Sequence, residues 1–161
     1  MKKVLFSLLA VAIIMVSCGG ADPVKFNDAL VKANTVISEV SSNYDSELSD
    51  AINSEAFDKI STLTDSALVK IKAEIETVKN LDAPKGGEKF KETAIKTYES
   101  LSTLVETGKK FSTLTAESSE EQFDGINKEY TAKMEEYSKV FQELVDVQME
   151  YAKEAGYKVN N

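Results

Sequence analysis

The 161-residue sequence contains no histidine, tryptophan or arginine, so all 19 of its basic residues are lysines. Without histidine, the chain cannot form a Ser-His-Asp or Cys-His catalytic site, a histidine zinc site, an axial haem ligand or the Glu-x-x-His pairs of di-iron bundles. Without arginine, it lacks the bidentate fork that binds phosphates and carboxylates. These absences exclude most familiar catalytic sites, and only catalysis by paired carboxylates stays open. We predict a protein that is not an enzyme and holds no cofactor and no metal.

The sequence also lacks both common phosphate-binding motifs, G-x-x-x-x-G-K-[ST] and G-x-G-x-x-G. The segment "PKGGEK" at residues 84–89 has a superficial likeness to a phosphate loop, and we interpret it as a turn. From residue 18 onward, 17 lysines oppose 27 acidic residues, which gives a formal net charge of -10. Because so acidic a chain is repelled by nucleic-acid phosphates, we expect no nucleic-acid partner.

The single cysteine, Cys18, follows a positively charged start and a long apolar segment. Lys2 and Lys3 precede Val4–Val16, a run of 13 residues with one polar side chain. This layout is typical of a secretory signal peptide. The run is shorter than the about 20 apolar residues that a membrane-spanning helix needs. We therefore predict that residues 1–17 are a signal peptide that is cleaved off.

The residues "MVSC" that end at Cys18 resemble the lipobox of bacterial lipoproteins, in which a small residue precedes a cysteine that is lipidated before cleavage. Ser17 fits the small position, whereas Met15 stands where leucine is usual. The resemblance implies that Cys18 becomes the acylated N-terminus of the mature chain, carrying palmitate-type chains. The alternative, an ordinary free thiol in an exported protein, has no disulfide partner to support it.

Four consecutive segments carry apolar residues three and four positions apart, which is the spacing of one face of an α-helix. They cover about residues 23–52, 54–80, 87–115 and 119–155. Asp22 followed by Pro23 is typical of a helix start. Ser118 with Glu121 has the spacing of a capping box, and Gly108 interrupts the third segment, which suggests a close helix contact.

These four segments predict an all-α chain, folded as one antiparallel up-down four-helix bundle over residues 23–161. Strands are disfavoured because no segment alternates apolar and polar residues. The alternative is a pair of long helical hairpins that associate with another chain. Residues 18–22 would form the lipidated N-terminus and a short tether, which spans less than about 20 Å even when fully extended.

In such a bundle, the turns near residues 53 and 117 share the end that lies away from the membrane. The segments at that end carry a net charge of -7, against -1 for the segments at the membrane end. We call the acidic residues of the outward end the distal acidic surface: Asp45, Glu47, Asp50, Glu55, Asp58, Glu117, Glu120, Glu121 and Asp124. This surface is a candidate site for a basic protein partner or for divalent cations, which take carboxylate oxygens. The simpler interpretation is a solvated surface that keeps the protein soluble.

Four tyrosines fall at helical spacing on predicted inward faces: Tyr98, Tyr130, Tyr137 and Tyr151. Tyrosines at such positions are core residues more often than they line a ligand pocket, and their hydroxyls then need hydrogen-bond partners. Gln148 and nearby serines and threonines are the candidates.

Together these observations favour a non-catalytic lipoprotein of the bacterial cell envelope that acts as a binding or structural module through protein partners. It would be held in the membrane by lipid on Cys18. Because Gly19 is not the aspartate that retains lipoproteins at the inner membrane in enteric-type bacteria, we expect the outer membrane, with the facing left open. The alternative is a lipoprotein that binds a small ligand or divalent cation in the bundle interior or at the distal acidic surface.

Overall fold

The computed structural model describes residues 21–156, and every regular element in that range is a helix. In chain order these are α1 (Pro23–Asn53), α2 (Phe57–Lys79), α3 (Glu88–Gly108), a 3₁₀ helix (Lys109–Thr113) and α4 (Glu120–Glu154). The predicted all-α four-helix bundle is therefore confirmed. The predicted signal peptide and the lipidation of Cys18 lie outside the described residues.

Helix α1 begins where the sequence indicates. The Asp22 side chain accepts hydrogen bonds from the backbone N–H groups of Val24, at 3.0 Å, and Lys25, at 3.4 Å. Pro23 takes the first helical position, where its missing N–H costs nothing because that donor has no partner inside the helix. The chain is thus helical from the fifth residue after Cys18.

The apolar stripes of the four helices meet in one core. Its residues with almost no exposed surface include Leu30, Ile37, Ile60, Ile71, Val78, Phe90, Tyr98, Leu101, Val105 and Phe111. The buried apolar residues of the described part lie between Phe26 and Tyr151, so a chain that starts at Ala21 retains all of them. Helix α4 buries its apolar face least completely, and Met134 on this helix is exposed.

Charged and polar pairs fix the register of α3 against its neighbours. Lys89 and Lys96 pair with Glu150 and Glu143 of α4, at 2.7 and 2.8 Å. The Lys91 ammonium donates to the carbonyl oxygens of Lys79, the last residue of α2, and of Leu81 just beyond it, so a cation on α3 satisfies acceptors where α2 ends.

The third predicted helix is shorter than the sequence suggested. It was expected to continue to residue 115, but α3 ends at Gly108 and the chain continues as the 3₁₀ helix to Thr113. Residues three apart face the same way in a 3₁₀ helix, so Phe111 and Leu114 are both buried although the α-helix has ended. The apolar spacing therefore predicted correctly that these residues are buried, but it predicted the wrong type of helix.

Helix α4 also begins one residue later than predicted. Its N-cap is Ser119, whose hydroxyl accepts from the Gln122 backbone N–H at 3.3 Å, while the Gln122 side chain accepts from the Ser119 N–H at 2.9 Å. The capping box therefore consists of Ser119 and Gln122, not of Ser118 and Glu121. The Ser118 hydroxyl instead accepts from the Thr115 backbone N–H and shapes the preceding loop.

The turn predicted at residues 84–89 lies at residues 84–87, between α2 and α3, whereas Glu88 and Lys89 already belong to α3. The Gly87 N–H donates to the Pro84 carbonyl at 2.8 Å, and Gly86 has φ +85°, a backbone conformation that glycine adopts without strain.

None of the helices within residues 21–156 combines the length and the apolar composition that crossing a bilayer requires.

Candidate functional site

Aromatic side chains close the core at the end where α1 begins. Phe26 packs edge-on against Phe90 and Tyr151, with ring centroids 6.2 and 5.7 Å apart. Gly87 lies against Phe26 so closely that a Cβ there would stand 2.9 Å from the ring. The first turn of α1 is therefore tied to α3 and α4, and Phe26, the first residue of this aromatic cluster, comes only four residues after Asp22.

All nine residues of the distal acidic surface are exposed. Asp45, Glu47 and Asp50 lie on the last turns of α1, and Asp58 lies in the first turn of α2. The other residues are Glu55 in the α1–α2 turn, Glu117 in the loop before α4, and Glu120, Glu121 and Asp124 at the start of α4. Between residues 21 and 156, no three acidic or cysteine side chains come together as a group able to hold a metal ion.

Glu55 stands out within the distal acidic surface because its backbone has φ +56°. It occupies the position after the α1 C-cap, where the Ala56 N–H donates to the Ala51 carbonyl and the Glu55 N–H donates to the Ile52 carbonyl. These two bonds define a Schellman motif, whose left-handed residue is usually glycine. A side chain in this conformation costs about 1–2 kcal/mol, so Glu55 is a strained position.

The interior tyrosines are bonded to protein groups. Tyr98 donates to the Asn34 side-chain carbonyl at 2.5 Å, so α3 is tied to α1. The Tyr44 hydroxyl lies 3.1 Å from both the Thr64 hydroxyl and the Val105 carbonyl. It therefore bridges α2 and α3 from α1. These pairs satisfy polar groups inside the core, as buried hydroxyls require.

Four interior tyrosines have raised pKa values, and burial is the largest cause in each case. It raises the pKa values of Tyr44, Tyr98, Tyr130 and Tyr137 above the usual 10.0. A side-chain hydrogen bond with Thr64 partly opposes the shift at Tyr44, and one with Ser41 partly opposes it at Tyr137. The four hydroxyls therefore stay neutral at physiological pH.

The outward face of α4 offers no enclosed site. The open space above residues 139–154 is lined by α4 alone, apart from Lys89. A single convex helix face cannot surround a small ligand on most sides, as a ligand pocket does. In the same region, the ion pair between Lys89 and Glu150 raises the pKa of the lysine and lowers that of the glutamate.

Sequence reasoning missed several residues of the interior network. Asn34, Thr64, Thr93 and Thr97 are buried, but the apolar stripes pass over them. Tyr44 was not among the four tyrosines named from the sequence, although its hydroxyl joins three helices. The one clue to their burial in the sequence was position: each of these polar residues is next to an apolar residue of its helix's buried face, as Asn34 is next to Ala33. Serine and threonine were named as partners for the tyrosines, and the contact between Tyr137 and Ser41 fits that expectation.

No protein-family model, no curated protein and no solved structure matches this chain, so its fold and its sites rest on its own residues.

Proposed function

We propose that this chain is a lipid-anchored, non-catalytic lipoprotein of the bacterial cell envelope, held at the outer membrane, that binds protein partners or has a structural role. The observation that carries the proposal is the start of α1. Asp22 caps a helix only four residues after Cys18, and that helix is packed into the bundle from Phe26 onward. An anchor at Cys18 would therefore hold the whole bundle within about 20 Å of the bilayer.

The up-down antiparallel arrangement is part of this proposal, and the contacts support it. Phe26 of α1 meets Tyr151 of α4 at one end, whereas Tyr44 and Tyr130 both adjoin Gly108 farther along. Residue numbers thus rise along α1 as they fall along α4, and the α3–α4 ion pairs have the same sense. In this arrangement, the distal acidic surface faces away from the membrane, available to a basic partner.

The alternative, a small-ligand or cation-binding lipoprotein, has less support. The buried hydroxyls of Tyr44 and Tyr98 bond to protein groups and do not converge on open space. Acidic side chains of residues 21–156 do not gather in a metal-binding group. A binding role therefore rests on the outer surface of the bundle.

Metabolic labelling with a palmitate analogue tests the anchor. The full-length chain should incorporate label, lose residues 1–17 and fractionate with outer membranes. Cys18→Ser should abolish all three, whereas Ser17→Ala, which keeps a small residue before the cysteine, should preserve them. Equal labelling of Cys18→Ser and the unaltered chain would disprove lipidation at this residue. Protease treatment of intact cells then decides the facing.

Partner binding needs a separate measurement. Crosslinking in intact cells, followed by mass spectrometry, should recover the same partner protein with the unaltered chain and with a control variant. In the control, acidic residues of α4 outside the distal acidic surface are replaced by lysine. Reversing the charge of the nine residues of the distal acidic surface should abolish recovery of that partner. If recovery persists after reversal, the distal acidic surface is not the binding site, although the anchor proposal stands.

A further inference from the structure

Helix α4 buries far fewer of its side chains than the other three helices do. It has four buried residues among 35, whereas α1 has nine among 31, α2 seven among 23 and α3 ten among 21. The stretch between Tyr130 and Leu144 contains no buried residue, although it spans more than three helical turns. The first three helices therefore form most of the core, and α4 lies against them.

The part of α3 that the middle of α4 covers carries threonines. Thr97 donates to the Val140 carbonyl of α4 at 3.3 Å. Thr93 lies one helical turn from both Lys89 and Lys96, which pair with glutamates of α4. Both threonines are buried. Side chains with hydroxyl groups thus occupy this contact, where most of the core has apolar side chains.

The hydroxyls of these two threonines are bonded within α3 itself. Thr93 donates to the Lys89 carbonyl and Thr97 donates to the Thr93 carbonyl, both at 2.8 Å. These bonds would persist if α4 moved away, so water could cover this face without leaving the two donors unpaired. The middle of the contact between α3 and α4 therefore separates at little cost.

Charges add little to the attachment of α4. Three lysine–glutamate pairs join it to α3 and to the 3₁₀ helix: Lys89 with Glu150, Lys96 with Glu143 and Lys110 with Glu129. All six side chains are between 46% and 65% exposed, and exposed ion pairs contribute little to stability. Helix α4 has ten acidic residues and four lysines, and α1 has five and two, so the net charges of these two helices oppose their contact.

Aromatic contacts hold α4 near its two ends. Tyr151 packs against Phe26 and Phe90, with ring centroids 5.7 and 5.6 Å apart. Tyr130 packs edge-on against Phe111 of the 3₁₀ helix, with ring centroids 5.8 Å apart. Helix α4 is thus fastened at two places and crosses a threonine-bearing face between them.

Residues 115–118 join α4 to the rest of the bundle. Leu114 before them is buried and Ser119 after them caps α4, so a movement of α4 turns on these four residues. The Ser118 N–H donates to the Thr115 carbonyl at 3.0 Å, and the Thr115 N–H donates to the Ser118 hydroxyl at 2.9 Å. Both bonds lie within the loop and would survive such a movement.

We propose that α4 is a strap that swings away from α1, α2 and α3 about residues 115–118 while those three helices stay folded. Of the 26 buried apolar residues within residues 21–156, 22 precede this hinge, so the first three helices keep most of the core. Local opening of a fold involves its least deeply buried elements. The opening uncovers Thr97 and the ring of Phe90, and it does not depend on the lipid anchor.

Hydrogen exchange of the unaltered chain from Ala21 onward tests the opening. Amides in the middle of α4, at residues 134–143, should exchange at least about a hundredfold faster than the slowest amides of α2 and α3. Their rates should depend little on urea below the unfolding transition, because the opening exposes only part of the core. If amides of α4 exchange at the same rate and with the same urea dependence as those of α2, α4 leaves only when the whole chain unfolds, and the proposal is overturned.

Thiol labelling tests whether α3 is uncovered in the same event. A chain that begins at Ala21 has no cysteine, so a single one can be introduced. Thr97→Cys lies beneath α4, and Thr64→Cys, at the contact of α2 with Tyr44 of α1, is the matched control because both threonines are 0% exposed.

An aromatic disulfide reagent should label Thr97→Cys at least about a hundredfold faster than Thr64→Cys, with little dependence on urea. Urea unfolding of each variant confirms that it is folded and gives its stability. Equal labelling rates in two variants of equal stability would show that α3 stays covered, and this result also overturns the proposal.

Discussion

Gly108 lies directly against the hydroxyl of Tyr44, so that a Cβ at this glycine would overlap the phenolic oxygen. Its φ of -59° is ordinary for a helix, so glycine is needed for space and not for backbone freedom. Gly108→Ala should therefore destabilise the chain by about 1–3 kcal/mol, because the clash forces Tyr44 away from Thr64 and Val105. Urea unfolding measures the change.

A matched control exists on α4. Gly125 is helical and exposed, and a Cβ there would meet no atom within 4 Å. Gly125→Ala should stabilise the chain by about 0.5–1 kcal/mol, since alanine favours helix more than glycine does. Tyr44→Phe should reduce the cost of Gly108→Ala, because it removes the overlapping oxygen. Equal effects of the two glycine substitutions would contradict the packing argument.

The sequence predicted the number of helices but not the change of helix type after Gly108. Apolar spacing predicted four helices because burial of one face per helix dominates their stability. It also marked Gly108 as an interruption. It could not indicate that the helix type changes there, since Phe111 and Leu114 keep a spacing that suits both helix types.

The polar interior and the candidate site were harder to predict. Asn34 and Tyr98 lie 64 residues apart, and no periodicity links a polar residue on α1 to one on α3. The exposure of the distal acidic surface was predictable from charge alone. The strained backbone of Glu55 was not, because glycine is the residue that signals a left-handed position.

The bond from Tyr98 to Asn34 should carry measurable stability. Asn34→Ala removes the acceptor and leaves a buried hydroxyl unpaired, which should cost about 1–3 kcal/mol in the free energy of unfolding. Asn43→Ala, an exposed site on the same helix, should be neutral or slightly stabilising. In the Asn34→Ala background, adding Tyr98→Phe should cost less than it does alone, since the two residues act as a pair. Strict additivity would argue against the bond.

Tyrosine ionisation should distinguish the native chain from the unfolded chain. Burial raises the pKa values of Tyr98 and Tyr130, so both stay neutral in the native state where the unfolded chain ionises, near pH 10. Their contribution to stability is complete below about pH 10 and is lost as the pH rises further, because the unfolded state then releases protons that the native state keeps. Stability should thus be level from about pH 7 to 9 and fall above about pH 10.

The ultraviolet absorbance of tyrosinate, measured at about pH 10.5, checks that these tyrosines ionise in the unfolded chain and not in the native chain. Tyr98→Phe should leave the signal of the native chain unchanged and lower that of the urea-unfolded chain by about one sixth, since the chain has six tyrosines. Tyr130→Phe should behave alike, because burial also raises its pKa. A comparable loss of signal from the native chain would show that the hydroxyl ionises in the folded state.

Glu55 separates stability from binding within the distal acidic surface. Its left-handed backbone makes glycine the better residue for folding, so Glu55→Gly should stabilise the chain by about 1 kcal/mol, and Glu55→Ala should not. Glu117→Gly, in an exposed loop without positive φ, is the matched control and should bring no gain. Chemical denaturation measures all three. If the surface binds a basic partner, Glu55→Gly should also weaken that binding although the protein becomes more stable, a combination that loss of folding cannot produce. Unchanged binding together with higher stability would remove Glu55 from the binding surface.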